Sequence, residues 1–474
     1  MTEIAARGLE WFDDFAPPVD FPAEFLRDML ATARRVVVLD DDPTGTQTVH
    51  GVPVLTRWQE EDIAWAFEQG GAGFFILTNT RSLSASLATE RNYEIATRCL
   101  EIAERLGIEL AFASRSDSTL RGHFPLETDV LAQVSAAHGQ PIDGVVLSPA
   151  YLDAGRVTVD GIHWVRSSEG LTPVSSGEYA RDATFGYRSS RLSEWAEEKS
   201  GGRIRADSVV NVGLNDIRSA NAPLADLLRA SSEGQLVVID AVVDDDLRAA
   251  TTSVLEAERA GVRLLYRVGP SFVRARLGQD ARPPISDDEL RRIVGARMGH
   301  GLIVVGSHVG TTSRQLARLA ESRELTLIEL DVSQVVDGNA EARLDEIASE
   351  AASELQVRPV VIHTSRALVT AETAEASLDI SRRVSAALTE SVRRTVQLHT
   401  PRFVVAKGGI TSSDIATTAL EIDRAWVRGS LLPGIVSLWQ AASGPSEGLA
   451  YVVFAGNVGN DDSLAQVVDR LELV

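Results

Sequence analysis

The chain has 474 residues, 44% of them hydrophobic and 24% charged, which is typical of a soluble globular protein with two domains. Its formal net charge of -21 argues against a nucleic-acid partner and against an anionic membrane surface, because each would require a basic face. A single cysteine, Cys99, excludes an intramolecular disulfide. No apolar run approaches the ~20 residues that span a bilayer, and no secretory signal is recognised, so we expect a cytoplasmic protein.

In chain order, residues 1–34 lack clear periodicity and are interpreted as an N-terminal arm on the surface. Residues 35–268 alternate short β-branched runs with helical patterns, and predict strands at 36–39, 74–77, 110–113, 144–147, 209–212, 236–239 and 264–267. Residues 269–286 interrupt this rhythm with glycines and adjacent prolines, and are predicted to be a linker. A second series over 287–474 predicts strands at 302–305, 326–330, 360–363, 403–405 and 451–454. The alternation predicts two α/β domains with parallel sheets.

Polar loops follow two strands of the first domain, after the runs RVVVLD and ELAFAS. Their candidate residues are Asp41, Asp42 and Thr44 in the first loop, and Asp117, Ser118 and Arg121 in the second. Ligands of open α/β sheets bind beyond the carboxyl ends of the strands, and these side chains suit a small anionic, polyhydroxylated ligand. The alternatives are helix caps, a solvated acidic turn that includes Asp40, and a surface ion pair for Arg121.

A third polar segment, which follows strand 144–147, contains Arg156 and His163. Arg156 is a candidate for a second anion contact, and a surface ion pair is the alternative. His163 taken alone is more typical of a structural histidine.

Loops that contain glycine follow three strands of the second domain. Their candidate residues are Ser307, then Lys407, Gly408, Gly409, Ile410 and Thr411, and finally Gly456. Backbone amides at helix starts favour anions, and Lys407 could act as a point charge on phosphate. The GxxxxGK[ST] and GxGxxG fingerprints of other nucleotide sites are absent from the sequence.

Taken together and in this order, DDPTG, DSTLRG, GSHVGTT, KGGIT and GNVG resemble the four-carbon acid sugar kinase family over residues 35–470. The resemblance implies a sugar-acid-binding N-terminal domain and a nucleotide-binding C-terminal domain with the active site in the cleft between them. It implies ATP-dependent phosphorylation of the terminal hydroxyl of threonate, erythronate, 3-oxo-tetronate or a related acid in carbohydrate catabolism. Relatives often carry Lys and Phe where this chain has Ala455 and Val458, and Asn in place of His123.

Roles follow from the resemblance together with residue type. The substrate side would comprise Asp41, Asp42, Thr44, Asp117, Ser118 and Arg121, and the ATP side would comprise Ser307, residues 408–411 and Gly456. Arg121, together with Arg156, is expected to clamp the substrate carboxylate, and Asp117 or Asp42 to accept the hydroxyl proton. Lys407 would act on the transferring phosphoryl group.

The expected cofactors are ATP and Mg²⁺, and the metal ligands are left open. The expected partners are the sugar acid and ATP, with a homodimer as an open alternative. Two other functions also remain open. One is a non-catalytic sensor of a sugar acid and a nucleotide, and the other is a nicotinamide-dependent sugar-acid dehydrogenase.

Overall fold

The computed structural model describes residues 4–22, 24–219, 223–295, 297–366 and 374–474, without the side chains of 374–379. It divides into two compact units, Met1–Arg282 and Pro283–Val474, here called unit 1 and unit 2. Both units have an α/β fold, as predicted. Within the described ranges, no helix combines the length and the apolar character needed to cross a bilayer.

Unit 1 contains a parallel sheet and a small antiparallel one. Its strands are β1 (Arg35–Asp40), β2 (Val52–Leu55), β3 (Gly73–Leu77), β4 (Leu110–Arg115), β5 (Gly144–Ser148), β6 (Arg156–Val159), β7 (Ile162–Ser167), β8 (Gly170–Pro173), β9 (Val210–Val212), β10 (Gln235–Ile239) and β11 (Leu264–Val268). The parallel sheet has the order β2-β3-β1-β4-β11-β5-β10-β9. The antiparallel sheet, which was not predicted, has the order β6-β7-β8.

The helices of unit 1 connect and cover the parallel strands. They are α1 (Glu24–Leu30), α2 (Glu60–Glu68), α3 (Ala85–Leu106), α4 (Leu126–Ala137), α5 (Leu192–Lys199), α6 (Leu214–Ile217), α7 (Pro223–Ala230), α8 (Asp244–Arg259) and α9 (Pro270–Arg276). The long helix α3 shows how the sequence sets the ends. The Ser84 side chain accepts a hydrogen bond from the Leu87 amide, and Gly107 ends the helix at φ 65°. Serine caps and left-handed glycines are favoured at these positions.

The predicted arm and linker both contain regular elements. Residues 270–276 of the linker 269–286 form α9, whose residues are all buried in unit 1. Proline at the first helical position after Gly269 explains why a segment read as a break starts a helix. Within the arm 1–34, Leu9–Asp14 is a 3₁₀ helix, and Trp11 packs edge-on against Trp164. Met1–Glu3 and Ala23 of the arm lie outside the described residues.

Unit 2 is built on one mixed sheet. Its strands are β12 (Leu302–Val305), β13 (Thr326–Leu330), β14 (Val360–Thr364), β15 (Phe403–Lys407), β16 (Arg424–Leu432), β17 (Val436–Ala441) and β18 (Ala450–Phe454). Its helices are α10 (Asp287–Val294), α11 (Gly310–Ser322), α12 (Val332–Val336), α13 (Glu341–Glu354), α14 (Ala374–Leu398), α15 (Gly409–Asp414) and α16 (Ser463–Leu473). The strand order is β13-β14-β12-β15-β18-β17-β16, parallel as far as β18 and antiparallel beyond it.

Each unit has its own apolar core. The central strands β1, β3, β12 and β15 are buried almost throughout, as expected for parallel strands with both faces covered. Because parallel neighbours end at the same edge of a sheet, this arrangement decides which loops meet.

Candidate functional site

Loops from three neighbouring strands meet at the carboxyl edge of unit 1. Strand β1 lies between β3 and β4, and all three are parallel. Asp41 and Asp42 directly follow β1, and Asp117 follows β4. Arg81, which sequence analysis missed, enters from the loop after β3. The two predicted polar loops therefore lie at one edge, with Arg81 between them.

Arginines neutralise the carboxylates that follow β1. Arg81 Nη2 lies 2.5 Å from Asp41 Oδ1, and Arg81 Nη1 lies 3.3 Å from Asp42 Oδ2. Arg115 Nη1 lies 3.1 Å from Asp40 Oδ1 and 3.2 Å from Asp41 Oδ1. Asp40 and Asp41 are buried, so the alternative of a solvated acidic turn is wrong. Buried carboxylates require such partners, because desolvation alone would be costly.

The carboxylates differ in protonation. Burial raises the pKa of Asp40 to about 7, against the opposing charge of Arg115, and burial also raises the pKa of Asp41. Burial acts in the same sense on Asp42, but Arg81, Arg115 and the hydrogen bonds from Thr44 outweigh it and lower the pKa of that carboxyl.

The carboxyl group of Asp117 is also held ionised. Burial acts against its ionisation, but Arg81 and Arg121 outweigh this and lower its pKa to about 2. The side chains of Asp42 and Asp117 are 23% and 13% exposed, whereas that of Asp41 is 2% exposed. Asp42 and Asp117 are therefore both ionised and accessible to a ligand.

Thr44, Ser118 and Arg121 shape the two loops. The Thr44 amide donates to Asp42 Oδ1 at 2.9 Å, so Asp42 caps the short 3₁₀ helix Pro43–Thr46. The Ser118 side chain is buried. Arg121 Nε donates to Asp117 Oδ2 at 2.6 Å, and its guanidinium stacks over Tyr179 at 4.4 Å. Arg121 is thus already engaged with a carboxylate of the site.

A buried layer supports this edge from below. Glu127 accepts hydrogen bonds from Thr80 Oγ1 at 2.5 Å, Ser114 Oγ at 3.0 Å and Arg267 Nη1 at 2.6 Å. Gly122 has φ 115°, and a Cβ there would lie 2.9 Å from Asp41 Oδ2. Glycine is therefore needed both for the backbone conformation and for the close approach.

Arg156 is an arginine of this region for which the described residues provide no carboxylate partner. It shares one face of β6 with Thr158, because alternate residues of a strand point the same way. Thr158 Oγ1 lies 3.0 Å from His163 Nδ1, and His163 Nε2 lies 2.8 Å from the Ser118 carbonyl oxygen. The side chain of Arg156 donates to the carbonyl of Ala154, and its buried Nε lacks a partner. Among the described residues, no carboxylate forms an ion pair with Arg156.

In unit 2, the predicted glycine-containing loops meet in the same way. They follow β12, β15 and β18, which are adjacent and parallel. A Cβ on Gly456 would lie 2.6 Å from Ser307 Oγ, and a Cβ on Gly408 would lie 3.0 Å from Thr411 Oγ1 and 3.3 Å from Ser307 Cβ. Thr312 Oγ1 closes the group by donating to the Gly456 carbonyl at 2.9 Å. The structure therefore brings these residues together at one edge.

A cavity opens beside these loops. It measures about 210 Å³, and its walls combine polar groups with apolar side chains from α12 and α14. The lining includes Gly306, His308, Val332, Val384, Leu388 and Thr411. Gly409 and Ile410 form the start of α15, and Ile410, which is 59% exposed, also lines the cavity. A largely apolar hollow next to a glycine loop can take a planar base or a sugar ring.

Lys407 does not have the environment of a phosphate-binding lysine. Its side chain is fully buried, its Nζ donates to the Ala455 carbonyl at 2.6 Å, and it lies 3.7 Å from the centroid of the Phe454 ring. Burial lowers its pKa to about 7. The predicted contact with phosphate stays a prediction that this geometry does not favour, because the amine is enclosed beneath the loop.

Family models match almost the whole chain. A sugar-binding N-terminal domain matches residues 36–276, and a nucleotide-binding C-terminal domain matches residues 302–464. The chain belongs to the four-carbon acid sugar kinase family. The carboxylate–arginine cluster of unit 1 thus lies in the sugar-binding domain, and the glycine-containing loops lie in the nucleotide-binding domain.

Solved structures share the fold of this family member. One is a Salmonella typhimurium LT2 protein described as a candidate tRNA synthase, with 19% identity, a TM-score of 0.66, and coverage of 91% of this chain and 98% of its own. Another is a Haemophilus influenzae protein of a domain-of-unknown-function family, with 17% identity, a TM-score of 0.61, and coverage of 92% and 99%. At such identities the likeness shows the fold alone. No curated protein matches the sequence.

The acidic residues do not fit a metal site made by protein alone. Across the described part of the chain, no group of three or more His, Cys, Asp or Glu side chains could hold a metal ion. Asp41, Asp42 and Asp117 instead face arginines. Mg²⁺ would accordingly reach this protein as the counter-ion of ATP, which commonly brings it to such sites.

Proposed function

We propose that this member of the family is an ATP-dependent kinase that phosphorylates the terminal hydroxyl of a four-carbon sugar acid. Threonate, erythronate, 3-oxo-tetronate and related oxo or branched acids are the substrates to consider, and carbohydrate catabolism is the proposed setting. One observation carries the proposal. The sugar-binding domain holds two accessible carboxylates, Asp42 and Asp117, in the ionised state beside Arg81.

An accessible ionised carboxylate can take the proton of the acceptor hydroxyl, and the arginines that lower its pKa also make it a weaker base. Phosphoryl transfer requires positioning, neutralisation of charge and a group that takes the proton of the attacking hydroxyl. Asp42 or Asp117 would accept this proton, and Arg81 holds Asp42 in place. A carboxylate in this role contributes about a hundredfold to ten-thousandfold to the rate.

We assign the contact with the substrate carboxylate to Arg156 in preference to Arg121. Arg121 already donates to Asp117 and stacks over Tyr179. In the described part of the chain, Arg156 has no carboxylate partner. Burial dominates the pKa values of His163 and Tyr187, and the charges of both Arg156 and Asp117 contribute to them, so these two charges lie in the same region. An arginine with free donors can grip a carboxylate with two parallel hydrogen bonds.

The nucleotide-binding domain would hold ATP at the loops that contain Ser307, Gly408 and Gly456. These loops lead into the starts of α11 and α15, where backbone amides favour anions. The base or the ribose would occupy the adjoining cavity. ATP would accordingly supply the phosphoryl group, and the sugar acid that the sugar-binding domain holds would accept it.

A coupled assay of ATP turnover over a panel of four-carbon sugar acids tests this function. The expected result is turnover that depends on both ATP and one of the acids. Binding of acid and nucleotide without turnover would instead support the sensor. A change in nicotinamide absorbance with the same acids would support the dehydrogenase. The homodimer also stays a proposal, which light scattering of the native protein would test.

A further inference from the structure

A second arginine without a carboxylate partner lies in the nucleotide-binding domain. Arg366 follows β14, the strand next to β12, and so reaches the loop that contains Ser307. Its Nη2 donates to the Ser307 carbonyl at 2.6 Å and to Ser313 Oγ at 2.9 Å. Its Nε donates to Ser313 Oγ at 3.2 Å. The guanidinium is therefore fixed against both the loop and the first turns of α11.

The positive charge of Arg366 is not compensated. Nearby arginines on α11 are paired, since Arg314 Nε lies 2.8 Å from Asp461 Oδ1 and Arg318 Nε lies 2.9 Å from Asp462 Oδ1. For Arg366, by contrast, no carboxylate partner occurs in the described ranges, and its buried Nη1 has no hydrogen-bond partner. A half-buried cation without a counter-charge is costly, so an anion that binds beside it gains the attraction.

Other cations do not serve this position. Lys407 is enclosed under Ala455 and Phe454. His308, in the same loop as Ser307, has a pKa lowered by burial and by the charge of Arg366, so it is neutral near pH 7. Arg366 is thus the cation beside Ser307 that carries a full charge and an unused donor.

We propose that Arg366 binds the phosphate groups of the nucleotide and fixes the Ser307 loop around them. The inference rests on the proposed function only in that a nucleotide binds at these loops. An arginine suits the role because its planar fork can hold Ser307 with one nitrogen and a phosphate oxygen with another. The affinity for a nucleotide would then increase with the number of phosphates that it carries.

Calorimetric titration of the full chain with ATP, ADP and adenosine tests the assignment. Arg366→Gln should weaken ATP binding by about tenfold or more, ADP binding less, and adenosine binding hardly at all, since a charge-assisted hydrogen bond is lost. Arg314→Gln is the matched control, because it removes a paired surface cation from α11, the helix that Arg366 contacts through Ser313, and it should leave all three affinities unchanged.

A second variant separates contact with phosphate from support of the loop. Ser313→Ala removes one acceptor that holds Arg366 but keeps its charge, so it should weaken ATP binding less than Arg366→Gln does. Unchanged ATP affinity in Arg366→Gln would overturn the inference, and so would an equal loss for adenosine or an equal loss in Ser313→Ala. Failure of the native protein to bind any nucleotide would overturn the proposed function as well.

Discussion

Asp42 and Asp117 combine ionisation with access, and this makes them the residues to replace first. Asp42→Asn or Asp117→Asn should reduce kcat by about a hundredfold to ten-thousandfold in whichever variant has lost the proton acceptor. The other variant should lose less, because it removes only a partner of Arg81 or Arg121. Steady-state kinetics with the preferred acid measures both.

Asp207→Asn is the control for these variants, because Asp207 pairs with Arg205 on the exposed surface. Its kcat should match that of the native protein. Circular dichroism and the unfolding temperature establish that each variant is folded. Near-native turnover in both site variants would rule out carboxylate base catalysis at this edge.

Arg156 and Arg121 offer a direct comparison of two arginines. Arg156→Gln should raise the KM for the sugar acid by about tenfold or more with a smaller change in kcat, because it removes a contact with the substrate carboxylate. Arg121→Gln should mainly lower kcat, because Arg121 donates to Asp117. The reverse pattern in a kinetic comparison would return the carboxylate clamp to Arg121.

Asp40 makes stability depend on pH. Its pKa is about 7 in the folded protein against an ordinary value of 3.8, so the folded state holds a proton that the unfolded chain releases. The resulting stabilisation is fully present below about pH 4 and is lost as pH rises through 7. Asp40→Asn should therefore reduce the slope of the unfolding free energy against pH, by an amount that corresponds to up to about one bound proton.

Urea denaturation between pH 4.5 and 8 measures this slope. Asp240, whose pKa burial also raises to about 7, contributes in the same sense to both proteins and cancels in the comparison. An identical slope in the native protein and in Asp40→Asn would show that Asp40 is ionised throughout the range.

At the scale of elements, the nucleotide loops depend on close contact between glycines and hydroxyls. Gly456→Ala would place a Cβ 2.6 Å from Ser307 Oγ and 3.2 Å from Ser307 Cβ, so Ser307 must move from its position in the loop after β12. Nucleotide affinity should fall by about tenfold or more, a loss of about 1.4 kcal/mol of binding free energy. Titration with ATP measures it.

Gly213→Ala is the control, because Gly213 lies in unit 1 whereas ATP is assigned to unit 2. A Cβ on Gly213 would have Asp216 Oδ2 as its nearest neighbour at 3.8 Å, an ordinary contact. ATP affinity should stay unchanged. Equal affinities in Gly456→Ala and Gly213→Ala would show that the loops do not need their close packing.

Local sequence pattern predicted which loops carry polar residues, because a buried strand followed by Asp, Ser or Gly is visible within ten residues. It could not predict Arg81 or Arg115 as partners of Asp41, since that pairing depends on β3 and β4 flanking β1. It also could not predict the enclosed environment of Lys407, whose register partner in the sheet is Phe454 on the distant strand β18. Contacts across strands are decided by sheet order, which the local pattern does not contain.

The same limit applies to whole elements. The antiparallel strands β6–β8 and β16–β17 were missed because the expected rhythm was one of parallel strands with helical connections. Such hairpins are set by tight turns between neighbouring strands. Gly161 at φ 67° and Gly434 at φ 64° lie in two of these turns. A glycine marks a turn but does not say which strands pair across it.

At the scale of the whole molecule, the two ligands are assigned to different units. In hydrogen exchange of the full chain, a non-hydrolysable ATP analogue should slow exchange over 306–312, 408–414 and 455–460. A four-carbon sugar acid should slow exchange over 40–48 and 115–123, because ordered ligand contacts suppress local opening. Protection of the unit 1 loops by the nucleotide alone would contradict the assignment of ligands to domains.

The protonation of Lys407 is expected to be coupled to nucleotide binding. Because burial lowers its pKa to about 7, the enclosed amine can gain or lose a proton near neutral pH. A polyanion that binds to the adjacent Gly408 loop would favour the protonated amine of Lys407. Nucleotide binding would therefore be accompanied by uptake of protons from the buffer. The heat of nucleotide binding would then vary with the ionisation enthalpy of the buffer, and affinity would decline as the solution becomes more alkaline. A lysine hidden from its ligand would thus still take part in binding it.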